Sequence, residues 1–293
     1  MGKDLRSFLT ELAQQAPGDL LRIDDPVDRR FGITAFGAAA ARHGDRPAFL
    51  FANVAGSGLP CVANLLATRE RMALALGCST EDLARASSTF DGRVGHAPLQ
   101  VDARDAPVTQ VVQYGDDVDL GELPVPVHNE LDGGPFLTAA MTVMRDPDSG
   151  RLNVGLYRHH VYDERHLGVW FFGSHHGGTI HRRYAERGEP TPVAIVIGHH
   201  PAMLMGAVSR IPGIGGEYEA AGAYLGEPVE VVTARTSDLL VPARAEIVLE
   251  GVILPGEMRE EGPFAEWPGH YIAGGPKPLI RIDAITMRSG AIF

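Results

Sequence analysis

The chain has 293 residues, 44% hydrophobic and 22% charged, with a formal net charge of −11. This is globular composition, long enough for two domains or one large one, and its acidic balance without a long basic run argues against nucleic acid or an anionic membrane as main partner. Cys61 and Cys78 lack metal-ligand spacing and demand no oxidising compartment, while the charged start and the lack of any long apolar run read as a cytoplasmic protein with no signal peptide or membrane span.

Asp4 is placed to cap a first helix, in which Leu5, Phe8, Leu9 and Leu12 recur at helical spacing before Pro17-Gly18. Residues 20–23 read as a short strand, residues 33–42 as an Ala-rich helix, and residues 48–51 and 61–66 as buried strands. Thr68 caps a helix that Gly77 stops, and residues 80–86 form another. The alternation predicts an α/β module over residues 1–107.

From Val108 the pattern turns to strands, expected at 108–114, 137–145, 153–161, 169–172, 193–197, 229–233 and 246–250, with helices at 181–186 and 217–225. Asp146-Pro147-Asp148-Ser149-Gly150 is a turn, and Leu123-Pro124-Val125-Pro126-Val127 cannot be a central strand because each proline removes a ladder donor. Ala291-Ile292-Phe293 reads as the interior of a strand, which points to a fragment, a split subunit or a truncated product. Closing so many short strands calls for a barrel over residues 108–293, and the fold class is α+β.

Several clusters could carry chemistry. Glu260, Glu261 and Glu266 flank a Gly262-Pro263 turn, which could hold two carboxylates at one cavity edge, one of them kept protonated as a proton donor; a solvated acidic loop is the plain alternative. In Asn153-Val154-Gly155-Leu156-Tyr157-Arg158, the arginine suits a carboxylate fork or a surface strand position. Asn153 and Arg158, five apart, face opposite sides of a regular strand unless Gly155 makes a bulge. Adjacent histidines (159–160, 175–176, 199–200) point apart, so one from a pair, with an amide oxygen and a carboxylate, would make a mixed site suited to manganese or magnesium. Glu217 opens a helix, where an acid also serves the helix dipole.

In combination these stretches resemble the UbiD-type decarboxylases, which use prenylated flavin mononucleotide. The resemblance runs in family order from residue 4 to the last residue. Its N-terminal part is carried by Asp4-Leu-Arg-Ser-Phe-Leu, Arg22-Ile-Asp-Asp-Pro-Val and Arg69-Glu-Arg-Met-Ala-Leu-Ala-Leu-Gly. The cofactor module is carried by Leu123-Pro-Val-Pro, Gly134-Pro-Phe-Leu-Thr-Ala, residues 153–158, Ser174-His175-His176-Gly177-Gly178, Glu217-Tyr218, residues 241–251 and Glu261-Gly-Pro-Phe-Ala-Glu266. Ala265 stands where a glycine is common in the family.

The resemblance implies a split β-barrel that binds flavin after the N-terminal module, without the family's C-terminal domain. It implies that Asn153, His175 and Glu217 hold a divalent metal, usually Mn2+ (or Mg2+), bridging to the cofactor phosphate, with K+ nearby. The serine-led motif favours His175 over His176 as ligand. Val154, Leu156, Tyr157 and Arg158 would line the prenylated FMN. Arg158, Glu261 and Glu266 match the catalytic triad, with Arg158 orienting the substrate carboxylate and Glu266 moving the proton. The implied activity is reversible non-oxidative decarboxylation of an aromatic or α,β-unsaturated carboxylic acid. A flavin prenyltransferase would supply the cofactor, and the complete enzyme would be a homo-oligomer or include a partner chain. The alternatives are a cofactor-binding scaffold or split subunit inactive without a partner carrying the missing domain, a metal hydrolase built on the histidines, and a flavin reductase.

Overall fold

The computed structural model describes residues 2–88, 95–171, 175–209, 211 and 213–293. Helix α1 (Leu5–Gln15) begins where Asp4 sets it: the Asp4 carboxylate accepts from the Ser7 N–H, and the Ser7 hydroxyl accepts from the Asp4 N–H. Its stripe of Leu5, Phe8, Leu9 and Leu12 is buried. Strand β1 (Leu20–Ile23) pairs in parallel with β2 (Ala48–Phe51), with helix α2 (Gly32–Arg42) between them in sequence, and β3 (Cys61–Ala63) completes this sheet. Strand β3 stops short of residue 66 because Asn64 takes a φ of 65°, in the left-handed region, and turns its amide to the Pro47 carbonyl. Helix α3 (Arg69–Leu76) is capped by Thr68 and ended by Gly77, as the sequence predicts. Helix α4 (Leu83–Ser88) starts later than residue 80, since Ser79 and Asp82 bond each other in a preceding turn.

The chain continues through β4 (Leu99–Gln100), β5 (Val111–Tyr114), β6 (Phe136–Leu137), β7 (Met141–Arg145), β8 (Leu152–Leu156), β9 (His159–Val161), β10 (His166–Val169), α5 (His176–Glu186), β11 (Thr191–Ile197), α6 (Ala202–Ala207) and α7 (Glu217–Leu225). It ends with β12 (Glu230–Thr233), β13 (Leu240–Pro242), β14 (Ile247–Glu261), β15 (Phe264–Ala265), β16 (Tyr271–Ile272) and β17 (Gly275–Met287). Strands β13, β12 and β4 form a small sheet, and β15 pairs with β16. The large sheet runs β6-β9-β10-β17-β14-β11-β7-β8, with β5 added to β17.

That order forces the sheet to curl. Strands β6 and β7 lie six positions apart, about 29 Å across a flat sheet at ~4.8 Å per strand. Yet only residues 138–140 join them, and four Cα steps span at most about 15 Å. The link from β8 to β9 is shorter still, residues 157–158. The sheet is therefore a half-barrel, and both links cross its open seam. A single strand over 153–161 was expected; the crossing breaks it into β8 and β9.

Strand β11 reads as an unbroken apolar run because it is buried on both faces. Val193, Ile195 and Ile197 enter one core with Leu249, Ile280 and Ile282, whereas Ala194 and Val196 enter another with Tyr218, Ala221 and Val231. Three further expectations change. Helix α5 starts at His176 rather than 181, β14 extends to Glu261 against the long β17, and helix α6 lies where no element was foreseen. Residues 291–293 are not a strand of the sheet. Phe293 instead bridges toward β3, its N–H donating to the Pro60 carbonyl and its carbonyl accepting from the Val62 N–H. Phe172 and Ser174 lie outside the described residues.

Candidate active site

Arg158 sits on the seam crossing. Its guanidinium takes Glu261 in a fork, Nε to Oε1 at 2.7 Å and Nη2 to Oε2 at 3.0 Å, and Nη1 reaches Glu266 Oε1 at 2.5 Å. The guanidinium carbon lies 4.0 Å from the Trp170 ring centroid and 5.1 Å from that of Phe264. Stacking and forked bonding together fix both position and plane. The Glu261 side chain is fully buried, and that of Glu266 keeps 30% of its exposure. Glu261 therefore serves as the buried counter-charge, while Glu266 faces the neighbouring space. Both positions follow from local structure: Glu261 ends β14 opposite Gly275, Gly262 turns the chain at a φ of 85°, and the β15–β16 hairpin carries Glu266.

Asn153 addresses a different acid. Strand β8 pairs with β7 in continuous register from Leu152 to Leu156, so Gly155 introduces no bulge. Asn153 Nδ2 donates to Glu217 Oε1 at 2.9 Å, and the Val154 N–H donates to Glu217 Oε2 at 3.3 Å. All three residues are buried. Glu217 opens α7 directly after Gly216, at a φ of 110°. Burial raises the Glu217 carboxyl above its ordinary pKa, opposed by its hydrogen bonds, including those from Val154 and Asn153. With Nδ2 committed to Glu217, Oδ1 is the Asn153 atom with lone pairs to offer a cation.

His175 stands at the N-cap of α5, exposed, and lines a cavity of about 530 Å³ with Leu156, Tyr157, Arg158, Trp170 and Glu266. Tyr157 ties this corner together, its hydroxyl accepting from the Gly177 N–H at 3.1 Å at the start of α5. A Cβ on Gly155 or Gly177 would come within 2.9 Å of the Tyr157 ring or hydroxyl, so both positions need glycine. The structure thus brings Arg158 together with Glu261 and Glu266, and Asn153 with Glu217. His175 joins the first group through the cavity wall.

The other histidines do not converge. His159 is fully buried against Thr142, His199 and His200 accept backbone N–H bonds at Nδ1, and His181 meets Thr191. Among the described residues, no group of three or more His, Cys, Asp or Glu is placed to hold a metal. Sequence reasoning missed Trp170, Phe264 and Asp132. An isolated aromatic carries no signal of what it stacks on, but the Asp132-Gly133-Gly134 turn beside the Gly134-Pro-Phe motif offered one.

Residues 12–89 match the family model of the 3-octaprenyl-4-hydroxybenzoate carboxy-lyase N-terminal domain, and residues 99–293 that of its Rift-related domain. The fold is similar to that of the UbiD-class enzyme HmfF from Pelotomaculum thermopropionicum, in an evolved dimeric form in complex with prFMN. The identity there is 34% and the TM-score 0.92, over 100% of this chain and 67% of that one. Vanillic acid decarboxylase from Sedimentibacter hydroxybenzoicus in closed form matches at 35% identity and a TM-score of 0.93, over 100% and 63%. The apo 3,4-dihydroxybenzoic acid decarboxylase from Enterobacter cloacae matches at 31% and 0.90, over 99% and 64%. The chain spans about two thirds of the length of these relatives. Since the Rift-related model alone covers well over half of its residues, the chain belongs to the UbiD family of carboxy-lyases.

Proposed function

We propose that this chain carries the cofactor-binding and proton-transfer machinery for reversible, non-oxidative decarboxylation of an aromatic or α,β-unsaturated carboxylic acid. The observation that carries the reading is Arg158 held between Glu261 and Glu266 beside the cavity. Three guanidinium N–H groups bind the glutamates, leaving two of the five to orient a substrate carboxylate. Glu261, buried and forked, holds the arginine in place. Glu266, on the cavity wall, delivers the proton where carbon dioxide leaves. The aromatic walls of Trp170 and Phe264 exclude water around the arginine.

Prenylated FMN would supply the electron sink for loss of carbon dioxide, and HmfF binds it. The donor types fit its metal partner: the Asn153 amide oxygen, Glu217 carboxylate and His175 imidazole suit a hard divalent ion, Mn2+ or Mg2+, with K+ as companion. Val154, Leu156, Tyr157 and Arg158 would line the flavin on the seam side, in a split barrel spanning residues 108–293 after an N-terminal module of residues 1–107. A flavin prenyltransferase would load the chain, and the working enzyme would be a homo-oligomer. Cys61 and Cys78 are free thiols, which suits the reducing cytoplasm we assign to it.

The test is co-expression with a flavin prenyltransferase, followed by a visible spectrum and metal analysis. Bound modified flavin together with a divalent metal is expected. Glu266→Gln should retain both and lose turnover by about 10²–10⁴-fold; normal turnover would remove Glu266 from proton transfer.

A further inference from the structure

The segment that carries Glu266 is held from outside by the loop of residues 129–133. Asp132 accepts from the Asn129 N–H through Oδ2 at 2.7 Å, which fixes the carboxylate within its own turn. Its Oδ1 accepts from the Ala265 N–H at 3.0 Å, on the residue immediately before Glu266. The next N–H, that of Gly133, donates to the Pro263 carbonyl at 2.8 Å. The Leu131 N–H donates to the Tyr271 hydroxyl at 3.0 Å, on the return strand of the same hairpin. Behind them, the Gly262 N–H meets His160 Nδ1 at 3.4 Å, and the His160 ring stacks on Phe136.

The two backbones approach more closely than side chains would permit. A Cβ on Gly133 would stand 2.2 Å from the Gly262 carbonyl oxygen, and one on Gly134 would stand 2.6 Å from His160 Nε2. Arg158 contributes a single bond to Glu266 and cannot by itself fix the backbone that bears it. Resting on the proton-transfer role of Glu266 given above, we infer that Asp132 is a positioning residue: its bond to the Ala265 N–H sets where the Glu266 carboxylate meets the cavity. The bond adds no group to the chemistry. It holds the hairpin where Glu266 reaches Arg158 on the cavity wall, and a shift of about 1 Å in such a group lowers rates by ~100-fold.

The experiment compares Asp132→Ala, Asp132→Asn and Glu266→Gln in the flavin-loaded enzyme, with amide hydrogen exchange read at residues 264–266. Asp132→Ala should raise exchange at Ala265 at least tenfold, lower kcat by about 10–100-fold with KM within twofold, and move the pH limb of kcat. Asp132→Asn retains an oxygen acceptor for the Ala265 N–H and should restore most of kcat. Wild-type kcat and pH profile in Asp132→Ala, with Glu266→Gln inactive, would overturn the inference alone. Wild-type turnover in Glu266→Gln would overturn the proton-transfer reading and this inference with it. If Asp132→Ala loses activity only in proportion to lost flavin or lowered Tm, or if Asp132→Asn fails to rescue, the role is structural and the inference falls.

Discussion

At Arg158 the plane of the side chain matters as much as its charge. Two fork bonds, one further bond to Glu266 and stacking on Trp170 use the geometry of a guanidinium, and an ammonium on a flexible stem reproduces none of it. Arg158→Lys should therefore lower kcat at least tenfold despite keeping the charge. Arg158→Ala should also unsettle the fold, because it leaves the fully buried Glu261 without its counter-ion, a loss of about 3–5 kcal/mol. Turnover and thermal melting of the two variants together check this: Arg158→Lys with wild-type kcat would show that charge alone suffices. Asn153 is the parallel case. Its amide ties the Glu217 carboxylate within the buried interior, and Asn153→Ala should release divalent metal and flavin together, read by metal analysis and absorbance.

At the level of elements, the hairpin of β14 and β17 carries Glu261 from the core to the site. Its register shifts at Glu250 and Gly251, where Asp283 is left unopposed on β17. A Cβ on Gly251 would stand 1.9 Å from the Arg281 carbonyl oxygen, so the close approach of the two backbones needs glycine there. Gly251→Ala should destabilise by about 1–3 kcal/mol or more, lowering the urea midpoint without changing the m-value. An unchanged midpoint would mean that the bulge is dispensable. The seam crossing has the same logic at its own scale. A two-residue link between distant positions of the sheet leaves Tyr157 and Arg158 outside both strands, free to address α5 and β14 respectively.

Across the whole molecule, the first helix and the last strands are joined by a buried charge cluster. Arg6 forks onto Glu246, and Arg288 reaches both Asp4 and Glu246, which is fully buried. Next to it, burial lowers His199 to about 4 and His200 to about 3, and elsewhere it lowers His159 to about 3. In the unfolded chain these imidazoles bind protons from pH ~6.5 downward, whereas the folded chain refuses them until their depressed values. The stability they preserve is thus complete above pH 6.5 and is lost as pH falls toward 4, on the order of 1 kcal/mol per histidine per pH unit. Asp4, whose pKa is lowered in the fold against the effect of burial by its bonds to Arg288 and Ser7, adds its own loss only below its usual value of 3.8. Melting between pH 7.5 and 4.5 should show the histidine loss, and a flat profile over that range would refute it. No helix among the described residues is long and apolar enough to cross a membrane.

The sequence by itself determined much of the local structure and pointed to the residues proposed above as the reacting groups. Asp4, Thr68, Gly77 and Gly226 mark helix ends through hydrogen bonds and backbone angles that involve only neighbours, so α1, α3 and the end of α7 were legible. The family motifs point to Arg158, Glu261, Glu266, Asn153, His175 and Glu217. Only the tertiary structure decided how they are sorted. Strand parity placed Asn153 and Arg158 on opposite faces; in the fold Asn153 serves Glu217 while Arg158 serves the pair Glu261 and Glu266, and no local rule gives the position of a strand in a curled sheet. The same holds for Trp170 under the guanidinium and Asp132 behind Ala265. Each acts across a long separation in sequence, where a single chain carries no record of which partner the fold will bring near.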